Sequence, residues 1–336
     1  MTVVIVGAGS WGTALGKLLA EKGHRVKLLA RRKEIAEAIN ERKENPFYLP
    51  RIKLPANLSA TTELETIREA SFLIFAIPSH ALRAFLLSSR KLFESLAPFP
   101  LVSTIKGIEE KTLASMSQVV KETLPKVWHP YYTVLSGPSF AEEVARGLPT
   151  AVTIAGFERE ITRAVQETFA TRYFRTYLSL DVLGVELSGA LKNVVAIAAG
   201  IADGLDFGLN ARAALITRGL AEISRLGVKM GANPLTFSGL AGLGDLVLTC
   251  TGPLSRNRTV GLRLGRGEKL EEILKSMTQV AEGVKTASSA RALARKYKIE
   301  MPICEAVYRV LYRGEDPREM AQNLLTRRLK EEIDFI

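Results

Sequence analysis

The chain is short of the residues that carry most acid–base and redox chemistry. It has two cysteines, Cys250 and Cys304, and no C-x-x-C. A disulfide framework is thereby excluded, and the usage fits a reducing compartment. It has three histidines, His24, His80 and His129, all in the first half. A His–Asp pair serving a substrate in the second half therefore has no candidate. No tyrosine is followed four residues later by lysine, which removes the Tyr–Lys pair of short-chain dehydrogenases. No cluster of Cys, His and carboxylate suggests a catalytic zinc, so no metal is expected. Lysine and carboxylate remain as proton donors.

Other absences narrow the class further. Aromatic residues make up 7% of the chain, and its basic residues are spread rather than clustered around a reading motif. Nucleic acid is therefore not an expected partner. No basic segment or cleavage site precedes the strand-like run Thr2 to Val6. A signal peptide is not expected, and the expected location is cytoplasmic. The longest apolar stretch, 183–202, contains Glu186, Lys192 and Asn193. Those polar groups point to a buried helix rather than a membrane span. No Pro/Ser-rich linker, internal repeat or low-complexity tract is present.

What is present suits a two-domain globular protein. The length is 336 residues, and domains run to roughly 100–200 residues. Hydrophobic residues make up 47%, ample for a sizeable core. The 46 basic against 35 acidic residues give a formal charge of +11. That balance reads either as an unspecialised basic surface or as steering of an anionic small molecule.

Strand and helix signals alternate through the first half. Val3 to Val6, Val26 to Leu29, Phe72 to Ile77, Leu101 to Thr104, Thr133 to Leu135 and Thr150 to Ala155 are apolar strand runs, and Trp11 to Glu21 is helical. Continuous apolar runs indicate strands buried on both faces of a parallel sheet. Near Asp181 the character changes, and helical periodicity dominates at 182–202, 211–226, 284–298 and 302–313.

Gly7-Ala8-Gly9-Ser10-Trp11-Gly12 follows the first strand directly and opens a helix. In that context the three glycines serve a tight turn, close approach to a pyrophosphate, and helix–strand packing. The pyrophosphate would rest on free N–H groups at the helix N-terminus. The expected fold class is thus α/β. An N-terminal Rossmann-like, doubly wound, dinucleotide-binding domain spans 1–180, and an all-helical substrate and catalytic domain spans 181–336. The domains are expected to pack directly, with a ligand site between them. The second strand ends Leu29-Ala30-Arg31-Arg32, without the carboxylate that holds an adenosine 2′-hydroxyl. Two guanidiniums there favour a 2′-phosphate, hence NADP or use of both NADP and NAD. The plainer alternatives are that Arg31 and Arg32 start a solvated helix, or stack on adenine without discriminating.

Within the helical half, Lys192 sits in a segment apolar nearly all round. A lysine there needs a partner or a polar cleft. Desolvation moves its pKa toward the range useful for proton transfer, and a nearby anion moves it back. Alternatively the chain snorkels to the surface. Asp245, in Gly242-Leu-Gly244-Asp245, either orients Lys192 or caps a helix. Ser255-Arg256-Asn257-Arg258 offers a phosphate dianion a hydroxyl, an amide and two guanidiniums, or else is an exposed basic helix start. Ser139-Phe-Ala-Glu142 reads as a capping box. Lys106, after the Leu101 run, falls at the ligand-side end of a parallel strand.

Taken in order, these pieces resemble the bacterial-type NAD(P)-dependent glycerol-3-phosphate dehydrogenase family. The resemblance runs through Gly7–Gly12, Ile77-Pro78-Ser79, Lys106-Gly107-Ile108-Glu109, Ser136 to Ala141, Glu186 to Asn193, Gly239 to Leu246, Ser255-Arg256-Asn257 and Val280 to Gly283. It departs at Leu28-Leu29-Ala30-Arg31, where an aromatic-containing version is often seen. It implies cofactor contacts at Gly7, Gly9, Ser10, Trp11, Gly12, Arg31, Arg32, Lys106, Ala141, Arg256, Val280 and Glu282. It implies substrate contacts at Lys106, Gly137, Ser139, Lys192, Asp245, Ser255, Arg256 and Asn257. Lys192, with Asp245 and Lys106, is the implied catalytic set. The implied small-molecule pair is dihydroxyacetone phosphate and glycerol 3-phosphate, feeding glycerophospholipid synthesis, in a chain that could form a homodimer. Two other readings remain at this point. One is a related two-domain dehydrogenase of β-hydroxyacids or 2-ketoacids. The other is an NAD(P)-sensing module without activity.

Overall fold

The computed structural model describes residues 1–277, 279–329 and 331–332. The chain clusters into two compact units. The first comprises Met1–Lys106 and Ala114–Val185; the second comprises Gly107–Leu113 and Glu186–Ile336. Segment 107–113, read above with the first domain, thus groups with the second.

The first unit is built on strands β1 (Thr2–Val6), β2 (Arg25–Leu29), β3 (Leu58–Thr61), β4 (Phe72–Phe75), β5 (Leu101–Ser103), β6 (Tyr132–Ser136), β7 (Thr150–Gly156) and β8 (Phe174–Ser179). Its helices are α1 (Ser10–Glu21), α2 (Lys33–Arg42), α3 (Ser79–Ser88), α4 (Arg90–Glu94), α5 (Met116–Thr123), α6 (Ala141–Ala145) and α7 (Arg159–Phe169). The sheet order is β3-β2-β1-β4-β5-β6-β7-β8. Strands β1 to β6 pair in parallel. The expected parallel sheet needs one correction, because β7 pairs antiparallel with β6 while β8 follows β7 in parallel. The link from β6 to β7 holds only the five-residue α6, not the full crossover helix a parallel return uses.

The central strands form because Val3, Ile5, Val26, Leu28, Ile74 and Val102 have no contact with solvent. They pack with Leu15, Leu18 and Leu19 of α1 in one core. Strands β3 and β8 lie at the two edges and gave no apolar run. Leu-Ser-Ala-Thr and Phe-Arg-Thr-Tyr alternate buried with more exposed positions instead, as edge strands do. The strand order reverses between β1 and β4, and ligands of such sheets bind beyond the carboxyl ends of the strands there.

The helical unit contains α8 (Val182–Gly204), whose first turn clusters with the first unit. It continues with α9 (Gly208–Lys229), α10 (Pro234–Phe237), α11 (Asp245–Thr251), α12 (Arg256–Gly265), α13 (Leu270–Ser276), α14 (Glu282–Tyr297), α15 (Pro302–Arg313) and α16 (Pro317–Leu325). α8 is apolar and long enough to cross a membrane, yet 94% of its most apolar window is buried inside the protein. It is the core helix of this unit. Helix α12 lies against it with backbone nearly touching backbone. A Cβ at Gly200 would meet the Arg258 carbonyl oxygen at 2.1 Å, and one at Gly261 would meet the Ile197 carbonyl oxygen at 2.0 Å. Glycine inside a helix costs about 1 kcal/mol relative to alanine. Here it is what lets the two helices approach. The seam matters because α8 carries Lys192 and α12 begins at Arg256.

Candidate active site

In the first unit, β1 ends directly at the glycine turn. Gly7 holds φ +112°, and a Cβ there would lie 2.5 Å from the Ala76 carbonyl oxygen at the end of β4. A Cβ on Gly12 would lie 2.0 Å from the Gly7 carbonyl oxygen, whereas one on Gly9 would meet nothing within 4 Å. The turn is therefore closed on its inner side and open at Gly9. Gly9 is also the N-cap of α1 and gives that helix no side-chain cap. Free N–H groups, the helix dipole and open space make an anion cradle that fits a dinucleotide pyrophosphate. Trp11 adds a buried indole Nε1 that has no hydrogen-bond partner. Ser10 donates from its hydroxyl to the Tyr48 carbonyl. Ala141 and Trp11 pack on one small cluster of Ala14, Leu49 and Ala145, which joins α6 to α1. A buried amide missed by the motif reading, Asn45, braces the turn by donating to the Ala8 carbonyl at 2.9 Å and to Thr13 Oγ1 at 2.8 Å.

Arg31 and Arg32 follow β2, and Arg32 is the N-cap of α2. Both guanidiniums thus stand where the helix-start reading put them and also beyond the end of the second strand. Arg31 is exposed. Arg32 is occupied locally, over Phe47 at 5.3 Å and Tyr48 at 5.6 Å, and 3.4 Å from Glu34.

Three residues meet beyond the ends of β5 and β6. The Gly137 carbonyl accepts from Lys106 Nζ at 3.2 Å and from Ser139 Oγ at 2.9 Å. This corrects the capping-box reading of Ser139. The N-cap of α6 is Phe140, no side chain caps it, and the Ser139 hydroxyl turns back to Gly137. α6 begins too late for a serine at 139 to reach its third N–H.

In the helical unit, Lys192 is 4% exposed and does not snorkel. Its Nζ lies 2.9 Å from Asp245 Oδ1 and donates to Thr249 Oγ1 at 2.5 Å. Asp245 is 2% exposed and is the first residue of α11, whose N-cap is Gly244, so the pairing reading holds over the capping one. Thr249 in turn donates to the Asp245 carbonyl at 2.6 Å, one helical turn back. Sequence reasoning missed Thr249, although its spacing of four from Asp245 puts both on one face of α11. Cys250 beside it is buried, which pushes its thiol up to about 12 and keeps it protonated near neutral pH.

Helix α12 opens against Asn193, the residue after Lys192. Ser255 is its N-cap, accepting the Arg258 N–H at 3.2 Å. Arg258 spends its guanidinium on Asp203, so of the two arginines read as phosphate ligands only Arg256 faces out. Arg256 is exposed and donates from Nη1 to the Val280 carbonyl at 2.8 Å. Asn257 is buried. Its Nδ2 donates to Asn193 Oδ1 at 2.8 Å, and its Oδ1 accepts the Gly283 N–H at 2.9 Å. Arg256, Asn257, Val280 and Glu282, all expected at the site and the last opening α14, are thereby gathered at one end of α12, and Asn193, the residue after Lys192, links them to α8. The first turn of α12 has no acidic residue and bears two arginines. Asp203 answers Arg258, and the charge of Arg256 beside the helix dipole favours a further anion there.

The sequence matches the family models for the NAD-dependent glycerol-3-phosphate dehydrogenase N-terminus over residues 2–162 and C-terminus over residues 181–322. It is 51% identical to a glycerol-3-phosphate dehydrogenase (NAD(P)+) of Syntrophobacter fumaroxidans, covering 98% of this chain and 97% of that protein. It is 53% identical to the enzyme of the same name from Citrifermentans bemidjiense, covering 98% of each. The crystal structure of glycerol-3-phosphate dehydrogenase from Coxiella burnetii superposes with a TM-score of 0.92 at 40% identity, covering 97% of this chain and 99% of that one. With both parts matched and the likeness running almost end to end, the chain belongs to the NAD-dependent glycerol-3-phosphate dehydrogenase family.

Proposed function

We propose that the chain is a cytoplasmic NAD(P)-dependent glycerol-3-phosphate dehydrogenase that reduces dihydroxyacetone phosphate to sn-glycerol 3-phosphate for glycerophospholipid synthesis. The observation that carries the reading is the buried Lys192–Asp245–Thr249 set, one residue from the Asn193–Asn257 bond that ties it to the start of α12. A buried amine on the helix that meets the start of α12, where an exposed arginine stands, suits a ketone that carries a phosphate. Bound NAD(P)H supplies the hydride from C4 of its nicotinamide.

The chain's own residues do the rest. The Gly7, Gly9, Ser10, Trp11 and Gly12 turn holds the pyrophosphate, Arg31 and Arg32 take the adenosine end, and Ala141, Val280 and Glu282 are further cofactor contacts. Lys106, Gly137 and Ser139 border the substrate. Lys192 gives its proton to the developing alkoxide at C2, and its charge stabilises that oxygen before transfer is complete. Asp245 and Thr249 fix the direction of the amine. Arg256 and the first N–H groups of α12, with Asn257 and Ser255 shaping that turn, hold the phosphate so that remote binding energy orients the carbonyl. The proposed assembly is a homodimer; a monomeric sedimentation mass would overturn that part alone.

The test follows oxidation of NADH and of NADPH with dihydroxyacetone phosphate and, separately, with a branched 2-ketoacid. Turnover of the phosphorylated ketone only is expected. Turnover of the ketoacid only would move the protein to the related dehydrogenases. Cofactor binding without any turnover would make it a sensor.

A further inference from the structure

Asp203 lies in the last turn of α8, its side chain 7% exposed. Two arginines converge on it. Arg212 of α9 donates from Nε and Nη2 to Oδ1 at 2.8 and 2.6 Å. Arg258 of α12 brings Nε and Nη2 to Oδ2, each at 2.7 Å. Arg258 is the third residue of α12, directly after Arg256 and Asn257, and its N–H is the one that Ser255 caps. One carboxylate therefore fixes the turn of α12 that carries the phosphate contacts, and does so from the helix that carries Lys192.

The seam between the two helices shows what such a pin adds to. Asn257 meets Asn193, Gly261 meets the Ile197 carbonyl, and Gly265 meets the Ile201 carbonyl. The helices run in the same direction in matched steps of four. Glycine contacts bring the backbones close, and side-chain polar contacts at two levels add to what fixes one helix against the other. Two polar pins hold the register. Asn193–Asn257 stands at the amine end, and Asp203–Arg258 stands further along α8. The second pin also neutralises Arg258, so that Arg256 and the free N–H groups at the helix start are left for a dianion.

We infer that Asp203 is a positioning residue for the substrate phosphate, acting through Arg258. The inference rests on reading the start of α12 as the phosphate site. The test measures kcat, KM for dihydroxyacetone phosphate, KM for NAD(P)H and melting temperature in Asp203→Asn, Arg258→Gln, their double variant and Arg256→Ala. A shift of the α12 turn by a fraction of an ångström to one ångström should raise KM for dihydroxyacetone phosphate roughly ten- to hundredfold. KM for NAD(P)H should stay within about twofold of wild type, and kcat should fall less than the KM rises. The double variant should be no worse than either single one, since both break the same pin. Arg258→Lys keeps the charge but loses the two-pronged fork, and should shift the same constant by less; it serves if the neutral variants do not fold. An unchanged KM for dihydroxyacetone phosphate in the Asp203 and Arg258 variants, with a raised one in Arg256→Ala, overturns the inference. Equal losses in kcat and both KM values with a lowered melting temperature overturn it too, in favour of a purely structural ion pair. An unchanged KM in Arg256→Ala instead overturns the phosphate site itself.

Discussion

Lys192 has 4% of its surface exposed and two polar partners on α11, Asp245 and Thr249. An amine in that setting costs several kcal/mol to desolvate, and leaving one charge of such a pair unpaired costs about 3–5 kcal/mol. Its presence there points to chemistry rather than to stability. The arginines after β2 pose a different question at the same scale. Arg32 is engaged with Phe47, Tyr48 and Glu34, while Arg31 is exposed. If a 2′-phosphate is read here, Arg31 is the side chain that can turn to it. Arg31→Ala should raise KM for NADPH about tenfold and leave KM for NADH within about twofold, a loss typical of one charge-assisted contact. Equal changes in both would assign Arg31 to the surface. The sequence showed Lys192, Asp245 and the glycine turn because each breaks a local pattern. It did not show Thr249 or Asn45, whose roles come from contacts made across the fold and not from any unusual setting along the chain.

At the scale of elements, the seam between α8 and α12 sets the distance from the amine to the proposed phosphate contacts. Gly200, Gly204, Gly261 and Gly265 form two small-residue pairs, each spaced by four, and that spacing says nothing alone about which helix meets which. Gly261→Ala would push a methyl to 2.0 Å from the Ile197 carbonyl oxygen. Backbone cannot yield as a flexible side chain does, so the variant should lose about 1–3 kcal/mol of stability or more, and its KM for dihydroxyacetone phosphate should rise. Chemical denaturation and steady-state kinetics check both; a wild-type midpoint would show that the helices can part without cost. Element types were legible where periodicity was long, as in α8, α9, α14 and α15, and where strands were buried on both faces. The edge strands β3 and β8 were not, because a half-exposed strand of four to six residues carries little apolar signal. The reversal at β7 was hidden because direction depends on how the link packs, not on the strand's own residues.

For the whole molecule, one buried acid ties stability to pH. Glu222 of α9 accepts the N–H groups of Ile303 at 2.7 Å and Cys304 at 3.2 Å, capping α15 from another helix. Burial pushes its carboxyl up to about 7 from an ordinary value of 4.5, with the two N–H groups working against the rise. Below pH 4.5 the folded and unfolded chains both hold this proton. Between 4.5 and 7 only the folded chain does, so this group's contribution falls as pH rises and the penalty is complete above 7. Glu222→Gln removes the titration. The melting temperature of the variant minus that of wild type should therefore climb between pH 5 and pH 8, whatever its starting offset. A flat difference would mean that Glu222 keeps one protonation state across the range.

The central claim is that Lys192 is the proton source for the reduced ketone. It is tested most directly by Lys192→Ala, assayed with saturating dihydroxyacetone phosphate and reduced cofactor, with and without added methylamine. Loss of general acid catalysis and of the local positive charge should lower kcat by roughly 10²–10⁴-fold while cofactor affinity is kept. Methylamine should restore part of the rate by entering the space the side chain left. Turnover near the wild-type rate without added amine would contradict the account.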